Sequence, residues 1–229
     1  MRTLRMLVVL ALALPAIASE PFRVIANVFS VGVSDATVFV IATPKGLVLL
    51  DSGRAADYDK IRANMRKLGF DYYDIRIMLL SQANPDHAGN LARIRRETGA
   101  RLMVADADVP LLKHATRFPA VDVDQPIRVA DRVTIGGLMF IAHVTPGETK
   151  GCTTWTTQVR WERRSYAVVF VGCRPDNFDE LRSLKPDVFL GSRGTFFDLE
   201  GKYARRETKP NPFIDPDGYR KFVDETHRR

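Results

Sequence analysis

Residues Leu79 to Gly89 read LLSQANPDHAG, placing two amides, Gln82 and Asn84, just ahead of an adjacent acid and imidazole, Asp86 and His87. Carboxylates and neutral imidazoles hold zinc through oxygen and nitrogen, and both move protons in catalysis. The same pair also has a purely structural reading. Asp86 can cap a helix that begins at Ala88, and His87 can sit hydrogen-bonded at the edge of the core. The other histidines are weaker candidates. His143, in FIAHVTPG, reads as a structural or supporting residue, and His114 and His227 fall in exposed helical stretches.

Thiol chemistry rests on two cysteines, Cys152 and Cys173. Strands over 153–160 and 165–172, joined about ERRS, make a natural hairpin. A two-residue loop at Glu162 and Arg163 would set Cys152 opposite Cys173. Neither loop residue is Gly or Asn, so the register stays open, and a disulfide and two buried thiols remain alternatives.

The compartment bears on that choice. MRTLRMLVVLALALPAIASE carries Arg2 and Arg5, an apolar run from Met6 to Leu14, and small residues at Ala16 and Ala18, the pattern of a cleaved signal segment. Cleavage after Ala18 would leave a mature domain over 19–229 in an oxidising compartment, periplasmic or secreted. The run is too short to span a bilayer and no second apolar stretch approaches that length, so no stable membrane span is expected after cleavage. The formal charge of +7 falls to about +5 without the two arginines of the signal. Such a charge favours anionic surfaces, while export argues against nucleic acid as partner, and a small-molecule substrate or ligand is expected. The basic clusters at Arg160–Arg164 and Lys202–Arg206 read as solvated faces.

The groups above need a scaffold, and 45% apolar content supplies a packed core. Short Val/Ile/Phe-rich runs between Asn27 and Gly53 are broken by Ser-Asp and Pro-Lys-Gly, the signature of strands and turns. Residues 57–68 show helical spacing stopped by Gly69, IRIMLLS reads as a buried strand, and DHAGNLARIRRETGA as a helix between an acid and a glycine. RLMVADAD is a strand and DVPLLKHA a short helix. The second half repeats the theme with strands in DRVTIGGLMFIAHV, TTWTTQVRW, SYAVVFVG and DVFLGS, and helices in NFDELRSL and the tail DPDGYRKFVDETHRR. Strands and helices alternating in two similar halves, without a Gly, Ser or Pro-rich linker, predict one α/β domain of two packed sheets with helices outside.

Four segments together carry a resemblance: VLLDSG, SQANPDHAG, TPGETKGCTTW, and the pair VVFVG with DVFLGSRGTFFDLEGK. The pattern resembles the metallo-β-lactamase superfamily, in particular the subclass of β-lactamases that binds its metals without a cysteine, and it runs from Asn27 to Tyr219. The resemblance implies a four-layer αββα sandwich with the site on loops at one edge of the sheets. It also implies zinc-dependent hydrolysis of the β-lactam amide bond.

In that family the loop reads His-x-His-x-Asp-His, where this chain has Gln82, Asn84, Asp86 and His87. A further ligand comes from a Thr-Pro-Gly-His-Thr turn, here TPGET with Glu148, and another from Gly-x-His-Gly, here GSRG with Arg193. Asp86 and His87 alone stand unchanged among the six ligand positions, so the family activity is expected to be lost or very weak. Bound zinc lowers the pKa of water from 15.7 to about 7, which amides cannot do unaided. Arg193 brings a fixed positive charge that repels a cation and can pair with Asp86 instead.

Cys173 falls where sister subclasses place a metal-binding cysteine. This leaves a one-zinc hydrolase on Asp86, His87 and Cys173, with Glu148 as fourth ligand or general base, as an alternative to a metal-free site. Zinc is therefore expected at one ion at most, or not at all. Asp51 resembles the family's aspartate at the floor of the site. The segment CRPDNFDELRSLKP is shorter than the family's pocket wall. Recognition of an anionic substrate would then fall to Arg193 or Lys150, and a third reading is a periplasmic small-molecule binding protein with Arg193 as anion anchor.

Overall fold

Apolar runs such as VFVIA, LVLL and IMLL are hydrophobic on both strand faces because both faces are covered. In the computed structural model, which describes residues 20–32, 36–208 and 210–225, Phe39, Ile41, Val48, Leu50, Leu79 and Met103 enter one buried cluster. Their alternating neighbours Val40, Leu47, Leu49, Met78 and Leu102 enter a second cluster on the opposite face. The expected signal segment over 1–18 and His227 lie outside the described residues.

The strands carrying this pattern are β1 (Phe22–Ile25), β2 (Val28–Ser30), β3 (Phe39–Thr43), β4 (Gly46–Leu50), β5 (Ile75–Leu79), β6 (Arg101–Ala105) and β7 (Gln125–Ile127). They form one sheet in chain order, antiparallel to β4 and parallel from there on. Its outer face is covered by α1 (Tyr58–Lys67), whose Tyr58, Ile61 and Met65 point inward, and by residues of three later helices described below.

The second sheet holds β8 (Arg132–Ile135), β9 (Leu138–Val144), β10 (Thr153–Trp161), β11 (Arg164–Val171) and β12 (Val188–Gly191), in the order β12-β11-β10-β9-β8. All neighbours are antiparallel except β11 and β12. Trp155 and Phe140 from this sheet share the first buried cluster with Phe39 and Leu50 of the other, so the main core lies between the sheets. The predicted αββα sandwich is the observed fold.

The structure divides one predicted helix. DHAGNLARIRRETGA becomes α2 (Pro85–Ala88) and α3 (Leu91–Thr98), and Asn84, not Asp86, caps the first by accepting from the Asp86 N–H at 3.1 Å. The break follows from tertiary contact. Asn90 gives its side-chain amide to the carbonyls of Ser52 and Arg54 at 2.7 and 2.6 Å, and a Cβ at Gly89 would lie 2.5 Å from the Ala55 nitrogen.

The remaining helices are α4 (Val109–Lys113), α5 (Asp179–Ser183), α6 (Leu199–Ala204) and α7 (Pro216–Glu225). Strand β7 and helix α6 had no clear sequence signal. A second correction concerns the cluster at Lys202–Arg206: Arg205 and Arg206 are outside, but Lys202 is 3% exposed. Its ammonium sits 2.8 Å from Asp215 Oδ2 and over the rings of Phe189 and Phe197, fastening α6 to the start of α7. Among the described residues no helix is long and apolar enough to cross a membrane.

Candidate functional site

The parallel strands β4 and β5 end side by side, and their C-terminal loops build the floor of a cleft. Asp51, the first residue after β4, takes a left-handed φ of 63°, a conformation that costs a non-glycine residue about 1 kcal/mol or more and turns its carboxylate under the β5 loop. Oδ1 accepts the Ser81 N–H at 2.7 Å. Oδ2 accepts the Ser81 hydroxyl at 2.7 Å and pairs with His87 Nδ1 at 3.0 Å. Ser52 donates its N–H and hydroxyl to the His87 carbonyl at 2.7 and 2.8 Å.

His87 is completely buried. A carboxylate can only accept, so Nδ1 carries the proton toward Asp51 and, in the neutral ring, Nε2 is left as an acceptor. Among the described residues, that Nε2 and both polar atoms of Gln82, also fully buried, have no hydrogen-bond partner.

A second buried carboxylate ties the neighbouring turn to this floor. Asp108, which the sequence did not single out, accepts the Ala83 N–H at 2.8 Å, the Thr149 hydroxyl at 2.7 Å and the Gly151 N–H at 2.8 Å. A Cβ at Gly151 would lie 2.5 Å from the Asp108 carboxyl carbon, so glycine is required for this approach. The only sequence signal is an acid at the N-terminus of DVPLLKHA, which reads equally well as a cap. Trp155 completes the join, donating its indole N–H to the Leu80 carbonyl at 3.0 Å.

Above the floor lies a charged rim. Asp86 Oδ1 accepts from Arg54 Nε at 3.1 Å and Oδ2 from Arg193 Nη1 at 3.2 Å, while Arg193 Nη2 lies 3.7 Å from Glu148 Oε2. Asn84 Nδ2 reaches the same Glu148 oxygen at 3.4 Å. Burial raises the Asp86 carboxyl, but hydrogen bonds and charge from Arg54 and then Arg193 outweigh it and hold the group below the ordinary carboxylate value. Arg54 is another residue the sequence reading missed. It directly follows VLLDSG, and its approach to Asp86 crosses 32 positions.

The structure thus brings Asp86, Glu148, Arg193 and Asn84 together at one edge of the sheets and places Gln82 and His87 beneath them. Lys150 is exposed on the same turn as Glu148, and among the described residues no ion pair joins it to them. His143 is held between Glu180 of α5, at 2.6 Å, and Thr156, at 2.9 Å, a structural position. His114 is exposed.

Cys173 requires a correction. It is bonded to Cys152, so its sulfur is no thiolate and cannot serve with Asp86 and His87 as a third zinc ligand. The hairpin explains the pairing. Trp161 faces Arg164 and Trp155 faces Phe170, and the same register extended outward sets 152 opposite 173. Glu162 and Arg163 both adopt left-handed φ, 48° and 68°, so the two-residue turn forms without Gly or Asn.

The sequence model of the metallo-beta-lactamase superfamily matches residues 31–173. The chain belongs to the metallo-beta-lactamase superfamily. Solved members of the superfamily superpose closely. A subclass B3 metallo-beta-lactamase of Bradyrhizobium japonicum is 32% identical with a TM-score of 0.86, over 91% of each chain. The native metallo-beta-lactamase from Legionella gormanii is 32% identical with a TM-score of 0.87, over 91% of this chain and 93% of that one. A Cronobacter sakazakii metallo-beta-lactamase described by a HARLDQ motif is 27% identical with a TM-score of 0.84, over 91% of this chain and 86% of that one. Those letters differ from His-x-His-x-Asp-His at the second and last histidines.

The superfamily implies zinc, and the residues present do not fit it. Among the described residues no three His, Cys, Asp or Glu side chains gather as a metal-binding group. Arg193 cannot lose its proton, and its guanidinium already holds the carboxylate a metal would need. At an effective dielectric near 20, a divalent cation about 4 Å from a guanidinium meets roughly 8 kcal/mol of repulsion.

Proposed function

We propose that this chain is an exported metallo-beta-lactamase superfamily member that does not perform zinc-dependent β-lactam hydrolysis and keeps its cleft as a metal-free site. The observation that carries this reading is the Arg193–Asp86 ion pair at 3.2 Å, a fixed cation bonded to one of the two unchanged ligand residues. Gln82 and Asn84 add neutral amides, which neither bind zinc as imidazoles do nor acidify water. Export is supported by the signal-like N-terminus and by the Cys152–Cys173 disulfide, which persists in oxidising compartments.

The chemistry left at the rim suits a small anion. Arg54 and Arg193 approach one carboxylate from two loops, and guanidinium forks bind carboxylates in two-pronged fashion. An anionic small molecule would compete with Asp86 for these groups, with Lys150 nearby in sequence.

The experiment is metal analysis of the mature protein incubated with two equivalents of zinc and then desalted, alongside a β-lactam hydrolysis assay. Zinc far below one ion per chain and hydrolysis no faster than buffer are expected. Two bound zinc ions with turnover in the ordinary enzyme range, about 1 to 10³ per second, would overturn the reading.

A further inference from the structure

We infer that the Arg193 guanidinium replaces a metal ion as the cross-link that holds the loops of the cleft together, an inference that rests on the metal-free reading above. A metal in this fold would tie the β5 loop, the 145–151 turn and the loop after β12, the three segments that carry the ligand positions. Arg193 joins the same three. It extends from the end of β12, contacts Asp86 of the β5 loop at 3.2 Å and lies 3.7 Å from Glu148 of the turn. Arg54 adds the loop after β4, and Asn84 bonds Glu148 at 3.4 Å, closing a ring of contacts around the charge.

The charge pattern is that of a bound cation. Arg193 sits between two carboxylates, Asp86 and Glu148, with Arg54 on the far oxygen of Asp86, so a fixed positive group occupies the point where the three segments meet. The difference lies in what supplies the charge. A metal leaves with chelator or acid, whereas a guanidinium is covalently part of the chain and stays protonated. The backbone supports this placement: Thr37 donates its hydroxyl to the Gly191 carbonyl at 2.6 Å and its N–H to the Ser192 carbonyl at 3.0 Å, fixing the residues from which Arg193 projects. Loops tied in this way should keep their order without zinc and lose it when salt screens the pairs, since the Debye length falls to about 3 Å at 1 M.

Hydrogen exchange on the mature protein, with Arg193→Met and Arg193→Lys variants, reads this directly. In Arg193→Met the amides of 82–88 and 146–150 should exchange about fivefold faster, as expected for loss of roughly 1 kcal/mol of partly exposed ion pairing, with β4 and β5 unchanged. Arg193→Lys keeps the charge but not the fork and should fall between. Salt at 1 M should bring the wild type toward the methionine variant. Unchanged exchange at the two loops in Arg193→Met, with no zinc bound to the wild type, overturns the cross-link and leaves the metal-free reading standing. Zinc slowing exchange of these loops in the wild type overturns both.

Discussion

The floor and the rim of the cleft are built from the same loops, yet they follow different rules. On the floor, Asp51 holds Ser81 and His87 while Asp108 holds Ala83, Thr149 and Gly151, and both carboxylates are almost wholly buried. Such groups are expensive to leave unpaired, so the floor preserves the loop geometry whatever chemistry runs above it. On the rim, Asp86, Arg193 and Glu148 are partly exposed and meet across three separate loops. The floor is closed on itself by buried hydrogen bonds, whereas the rim presents its charges to the cleft.

The sharpest way to break this comparison is Asp51→Ala. It leaves Ser81 and His87 buried without their acceptor and should cost about 3–5 kcal/mol in denaturant unfolding, and a loss below 1 kcal/mol would refute the claim that the floor carries the fold. Next in size is the disulfide. Its cysteines are 21 positions apart, so Cys152→Ala with Cys173→Ala should cost about 3 kcal/mol, read as a lower unfolding midpoint that reductant no longer changes.

Gln82 belongs to the floor by its burial, and among the described residues its amide has no partner. Gln82→Leu should stabilise the protein by about 1 kcal/mol, and destabilisation by that amount would mean the amide has a partner in solution. The smallest effect belongs to the rim. The Asp86 carboxyl is depressed below its ordinary 3.8 by its guanidinium partners, so its contribution is present above pH 3.8 and lost as pH falls through the lower folded-state value. Asp86→Asn should therefore differ from wild type by less than about 1 kcal/mol near neutrality, and not at all at the acid end of an unfolding titration.

Much of the fold was legible because local pattern and global packing agree. Continuous apolar runs in LVLL and IMLL marked buried strands, Gly69 marked the end of α1, and the ERRS hairpin offered one register that places Cys152 opposite Cys173. The side chains of the site loops, Arg193 among them, were legible as letters. The break between α2 and α3 was not legible, since Asn90 and Gly89 look helical until the Ser52–Ala55 loop is laid against them. Lys202 misled in the same way: a basic residue among basic neighbours reads as surface until Asp215 and two phenylalanines close around it.

By itself, then, the sequence determined the superfamily, the two-sheet scaffold and which side chains the site loops carry, because apolar runs, turn residues and short motifs are properties of neighbouring positions. Only the tertiary structure decided that Cys173 belongs to a disulfide, that Arg54 and Arg193 share Asp86, and that Asp108 anchors the neighbouring turn. These are pairings across tens of residues, fixed by where the packed sheets bring separate loops, and no local preference of the chain encodes which charge will meet which.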